Sequence, residues 1–103
     1  MTLKTTRGIE IKKLRAGIDK IDKEIIALLG ERFKWTKKVG EYKAKYDLPA
    51  KDVAREQQVF SDRRLWAKKF GVDEDFAVEI FKAIIKSVRQ KHTAIKNTKK
   101  KIS

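Results

Sequence analysis

Stepping alternately three and four residues from Ile11 passes through Leu14, Ile18, Ile21, Ile25, Leu28, Arg32, Trp35, Val39, Tyr42 and Tyr46. Arg32 is the one stop that is neither apolar nor aromatic. A 3-4 stride sustained this long marks a helix whose one face meets another helix in coiled-coil fashion. The arginine is aimed at that seam, where a charge is costly and usually has an anionic partner. A helix from roughly Ile9 to Tyr46 is about 57 Å long at 1.5 Å per residue. A compact domain of about 100 residues has a radius of gyration of about 13 Å. One such chain cannot cover the rod, so the pattern itself predicts a second copy of the chain, a homodimer.

The 103 residues suffice for one domain, expected over 1–103. No cysteine is present, which excludes disulfides and thiolate metal sites. The N-terminal stretch to Ile11 lacks an apolar core of signal-peptide length, and no apolar run approaches a membrane span. A cytoplasmic protein without a membrane partner is the expectation. Lys plus Arg number 27 against 14 Asp plus Glu, a formal net charge of +13. That surplus attracts anions of any kind. Part of it lies at the ends, in Lys4, Arg7, Lys96, Lys99, Lys100 and Lys101. A disordered or frayed basic tail is expected at about 97–103, since such runs commonly just solvate.

Two breaks divide the chain. Before Pro49 the backbone leaves helical geometry, and Asp47 is placed to cap the second helix. At Phe70-Gly71-Val72-Asp73, the glycine suits a helix C-terminus and Asp73 the next N-terminus. The result is an all-α chain of three helices, one long (about 9–46), one short (about 51–69) and one medium (about 74–96). Candidate core on the second is Val53, Phe60, Leu65, Trp66 and Phe70. On the third it is Ala77, Phe81, Ile84, Val88 and Ile95, widened by Ile80 and Ile85, with His92 on the same stripe.

Arg32 and Lys43 point within about 20° of each other on the long helix and lie about 16 Å apart along it, so both can lean over one small ligand. Arg15 is about 25 Å from Arg32 and cannot reach that ligand from the same helix. If two copies cross antiparallel near Ile25 and Ile26, Arg15 of one chain falls opposite the Arg32–Lys43 region of the other. Three cations then surround a pocket suited to a dianion, because arginine forks grip carboxylates and lysine supplies a compact charge. The same three residues also fit exposed basic positions, and Arg32 resists that simpler reading most firmly. Asp52 and Glu56 share a face one turn apart; a carboxylate there caps the helix and pairs with Arg55, or accepts a hydrogen bond from a substrate hydroxyl. His92 reads either as a packed residue or as a donor. No second histidine or cysteine makes a metal site, and no nucleophile-base pair or phosphate-cradling loop is evident.

Taken together, these residues resemble the all-helical, AroQ-type chorismate mutases. The resemblance rests on Leu14-Arg15, Ile18-Asp19, Ile21-Asp22, Ala27-Leu28-Leu29-Gly30-Glu31-Arg32, Val39-Gly40, Lys43, Asp52, Arg55-Glu56 and Phe81 with Ile84-Ile85. It implies an intertwined homodimer whose two sites are each completed by Arg15 of the other chain. Arg15, Arg32 and Lys43 would hold the carboxylates and ether oxygen of chorismate, while Asp52, Arg55 and Glu56 border the pocket and its ring hydroxyl. The implied reaction, chorismate to prephenate in aromatic amino-acid biosynthesis, is pericyclic and requires neither cofactor nor metal. Lys43, Arg32 and His92 are the expected catalytic residues, with Lys43 the principal donor to the ether oxygen.

The chain departs from the family pattern at two places. Counted from Phe81 without a gap, His92 stands where many relatives carry a glutamine donor and Val88 where a small polar residue is common; a shift of one or two residues would instead bring Gln90 or Ser87 close, which helical spacing makes less natural. His92 is expected to supply the second donor, as a neutral N–H or more strongly as imidazolium. A non-catalytic or regulatory relative, in which His92 marks decay of the site, is one alternative, and two other functions compete. One is elimination of pyruvate from isochorismate on the same fold, of which Arg64-Leu65-Trp66-Ala67 with Gly71 is loosely reminiscent. The other is a basic helical dimer that binds nucleic acid, which leaves Arg32 in the seam unexplained.

Overall fold

The structure, a computed structural model, describes residues 3–102. It contains three helices, α1 (Leu3–Lys45), α2 (Val53–Lys69) and α3 (Glu74–Ile102), and no strand among the described residues. The all-α, three-helix organisation is therefore as the periodicity predicts. α1 starts earlier than expected and α3 ends later. The segment 97–102 is helical as the end of α3; it contains neither proline nor glycine and is rich in lysine, a good helix former. Ser103 and the side chains of Lys4, Lys100 and Lys101, which belong to the expected basic ends, lie outside the described residues.

Both connections stop the preceding helix in the same way. Gly71 takes a left-handed φ of 72°. Val72 N–H then donates to Ala67 O at 2.8 Å and Gly71 N–H to Lys68 O at 3.4 Å. At the end of α1 the left-handed residue is Asp47, with φ 52°. Leu48 N–H donates to Lys43 O at 2.8 Å and Asp47 N–H to Ala44 O at 3.4 Å. This paired six-to-one and five-to-two pattern satisfies carbonyls a helix end would leave bare. Asp47 thus ends α1 instead of capping α2, which the sequence had suggested. The α2 cap is Asp52, whose Oδ1 accepts from Arg55 N at 3.0 Å. Asp73 does the same for α3, accepting from Phe76 N at 2.9 Å.

The chain divides into two compact units, residues 1–34 and 35–103. In the first, every residue from Thr6 to Leu28 is exposed, Leu14 at 64% and Ile18 at 58% among them. Only Leu29, Arg32 and Phe33 of its described residues are half-buried. The second unit has its own core, formed by Val59 and Ala67 of α2 and Ala77, Val78 and Ile85 of α3. The expected α2 core is corrected here. Val53, Leu65, Trp66 and Phe70 are exposed, and of the residues nominated only Phe60 is half-buried. The inward line of α2 is Glu56, Val59, Phe60, Arg63 and Ala67, one helical phase away, so small residues rather than the large ones set the α2–α3 approach. Arg63 completes that line by stacking its guanidinium 4.6 Å from the Trp66 ring centroid and 5.2 Å from that of Phe81.

Candidate active site

Along the inward lines of α2 and α3 the contacts change character. Near the α2–α3 turn they are apolar apart from the Arg63 guanidinium stacked on Trp66 and Phe81. Toward the other end, Glu56 on α2 and Arg89, His92 and Lys96 on α3 replace aliphatic side chains. Charges persist in such a setting only when each has a partner.

Lys43, half-buried near the end of α1, donates from Nζ to Ala50 O at 3.0 Å. Lys96 ties down the same connection, reaching Asp47 Oδ1 at 3.0 Å and Leu48 O at 3.4 Å. Both ammonium groups therefore hold the loop that delivers Asp52 to the start of α2. One turn into α2, Glu56 accepts from Arg89 Nη2 of α3 at 3.2 Å. The Glu56 side chain is 16% exposed, so this pair is far less solvated than the Arg64–Asp75 pair at the apolar end, where Asp75 is 87% exposed.

One turn beyond Arg89 on α3, His92 is buried, at 5% exposure. Its Nε2 lies 2.7 Å from Thr36 O of α1. A carbonyl only accepts, so Nε2 carries the proton and in the neutral ring Nδ1 holds the lone pair. Nδ1 is buried with no hydrogen-bond partner. Burial pushes the imidazole below its ordinary pKa of 6.5, the Thr36 bond works the other way, and the positive charge of Lys43 lowers it further. Gly40 makes the close approach possible: a Cβ there would sit 2.6 Å from His92 Cδ2 and 3.0 Å from Ile95 Cδ1. Gly40 is in turn three residues from Lys43, on the same helix face.

These contacts close a circuit within the second unit. It runs from Lys43 through Ala50 and Asp52 to Glu56, crosses to Arg89, and returns by His92 and Gly40. Of the sequence-predicted site residues it brings together Lys43, Asp52, Glu56 and His92. Arg55 stands beside them on α2, exposed, with Nη1 donating to Gln58 Oε1 at 3.1 Å. Arg15 and Arg32 belong to the first unit, Arg15 exposed and Arg32 half-buried. Arg89 was missed by the sequence reading. Its signal was the spacing Ile85, Arg89, His92, Lys96, an inward helical line interrupted by charge just as the α1 stripe is interrupted at Arg32.

Chemically the circuit offers two cations, two carboxylates already engaged by Arg55 N–H and Arg89, and a buried imidazole. It suits an anionic small molecule bearing a hydroxyl. Among the described residues no cluster of His, Cys, Asp or Glu could hold a metal ion, and no helix is long and apolar enough to cross a membrane.

Residues 14–93 match the family model of chorismate mutase type II. The chain belongs to that family. Among curated proteins of the chorismate mutase family, it is 33% identical over 76 residues to the chorismate mutase of Methanocaldococcus jannaschii, covering 74% of this chain and 77% of that one. It is 40% identical over 79 residues to the bifunctional chorismate mutase/prephenate dehydratase of Aquifex aeolicus, covering 74% of this chain. It is 32% identical over 77 residues to the T-protein of Enterobacter agglomerans, covering 75% of this chain. The chain spans only 22% and 21% of the length of those two larger relatives.

Proposed function

We propose that this chain is a chorismate mutase, an isomerase that converts chorismate to prephenate on the route to the aromatic amino acids. One observation carries the reading: the family match spans residues 14–93, a range that includes every nominated residue from Arg15 to His92. The circuit of Lys43, Glu56 and His92 supports it from the geometry.

The rearrangement breaks an ether C–O bond while a C–C bond forms within one molecule. Catalysis consists of holding the reactive shape and stabilising charge that grows on the ether oxygen. Arg32, with Arg15 of a second chain, binds the two carboxylates. Lys43 donates to the ether oxygen. Its ammonium has three protons, and the bond to Ala50 O uses one of them while fixing where the others point. Asp52, Arg55 and Glu56 border the ring hydroxyl, Asp52 through a carboxylate already held at the α2 cap.

His92 provides the second donor under a condition that the hydrogen bond to Thr36 sets. The single N–H of the neutral ring is used on Thr36 O, so a proton for the ether oxygen exists only on Nδ1 of the imidazolium. Its contribution therefore grows as pH falls toward its lowered pKa. The exposed stripe of Leu14, Ile18, Ile21, Ile25 and Leu28 supports a homodimer, since a contiguous apolar face of that length calls for a cover. The reading includes a cytoplasmic enzyme with no resident cofactor. Its net charge of +13 steers a dianion toward the site.

The test is chorismate consumption by the purified protein with identification of the product. Prephenate supports the reading. Salicylate and pyruvate from isochorismate, without prephenate from chorismate, would assign the lyase activity instead. Arg32→Ala is expected to lower kcat/KM by about 10²–10³-fold without dissociating the dimer.

A further inference from the structure

Arg89 has no place in the set of residues that the family resemblance nominates, yet it occupies the centre of the polar end. It enters the α2–α3 interface where Ile85 precedes it and His92 follows it on the same helix face. One arm of its guanidinium, Nη2, donates to Glu56 Oε1 at 3.2 Å. Its Nε is buried and has no hydrogen-bond partner. A half-buried arginine that uses one arm of its fork and leaves a buried N–H unpaired is poorly explained as a helix staple, because a staple gains most when both arms engage. The exposed Arg64–Asp75 pair already joins α2 to α3 at the opposite end.

The charges sharpen the point. A site built for a dianion gains nothing from an isolated carboxylate, which repels the ligand. Glu56 is nevertheless there, and mostly buried. Arg89 resolves the conflict by neutralising Glu56 while fixing one of its oxygens, which leaves the second oxygen directed by that contact.

We propose that Arg89 is a positioning residue of the active site, acting through Glu56: it cancels the carboxylate's repulsion toward the dianionic substrate and orients the carboxylate for the ring hydroxyl. This rests on the mutase reading above. Two effects arise from one contact. Loss of charge weakens substrate binding, and loss of orientation slows turnover. Lysine in place of Arg89 restores the first and not the second, since an ammonium is a point charge without the planar fork.

The experiment is a double-mutant cycle on chorismate turnover with Arg89→Gln, Glu56→Gln and the pair, together with Arg89→Lys, each variant checked by thermal melting and by its oligomeric state. The expected result is a KM raised about 10-fold or more in Arg89→Gln, a KM returned near wild type in Arg89→Lys with kcat still reduced, and little added loss from Arg89→Gln when Glu56 is already glutamine. Additive losses in the cycle would overturn the proposal. So would variants with lower melting temperatures but unchanged KM and kcat, which make Arg89 a staple. Should Arg89→Gln fail to fold, the KM-against-kcat split in Arg89→Lys decides. Failure of the mutase reading is distinct, because wild type itself would then leave chorismate unconsumed.

Discussion

From Leu14 to Leu28 the first unit leaves large aliphatic side chains in solvent, whereas from Val59 to Ile85 the second unit closes a core of mostly small ones. Both regions are helical and both carry apolar residues at helical spacing. They differ in where the partner of the apolar face comes from. α2 and α3 supply it to each other through Val59, Ala67, Ala77 and Val78, whose small side chains let the helices approach. The α1 stripe finds no such cover in its own unit, and its large side chains suit an external helix. A helical stripe in a sequence thus identifies a contact surface without saying which chain it contacts.

Substitutions can break that contrast. Ile21→Glu in the exposed stripe is expected to give a folded monomer that has lost at least about 100-fold in turnover, because Arg15 no longer arrives from a second chain. Sedimentation and circular dichroism on the same sample check this; an active monomer would sever the link between stripe and site. In the second unit the matching insult acts on folding. Gly40→Ala forces a methyl into the His92 ring and is expected to cost about 1–3 kcal/mol, read from urea midpoints, with lower turnover.

The next effect is on pH. His92 has a pKa below 6.5 in the folded chain, so on acidification the unfolded chain takes up this proton first. Stability from the neutral ring is full above pH of about 6.5 and is lost as pH falls through the lowered folded value. His92→Gln is expected to flatten that slope in unfolding midpoints measured from pH 8 to 5. A flat turnover profile over that range, with His92→Ala as active as wild type, would remove His92 from the chemistry. The smallest effect expected is Gly71→Ala. Its left-handed φ costs a side chain about 1–2 kcal/mol, without any change in KM.

The helices and their breaks could be read from the sequence because they arise from local chemistry: the 3-4 stride, the residue before Pro49, Gly71 and the Asp73 cap. Asp47 misled because aspartate serves both as a cap and in the left-handed region, and only the hydrogen bonds at Leu48 distinguish the two. The α2 core misled for a different reason. Large apolar residues draw the eye, but Trp66 and Phe70 are exposed while Ala67 beside them is buried. At the site, Lys43 and Glu56 were visible as charges on a helix face. The pairing of Glu56 with Arg89, 33 residues away, depends on the crossing of α2 and α3 and had no local signature. The same holds for the bond from His92 to Thr36, which decides which ring nitrogen carries the proton in the neutral ring.

The central claim is that each site is shared, with Arg32 from one chain and Arg15 from the other. Mixing Arg15→Ala chains with Arg32→Ala chains after unfolding and refolding tests it directly. Each variant alone is expected to be nearly inactive on chorismate. Random reassembly then places both defects in one site of each mixed dimer and leaves the other site intact, so about a quarter of wild-type turnover should return. Mixed dimers that form and show no recovery would contradict the account.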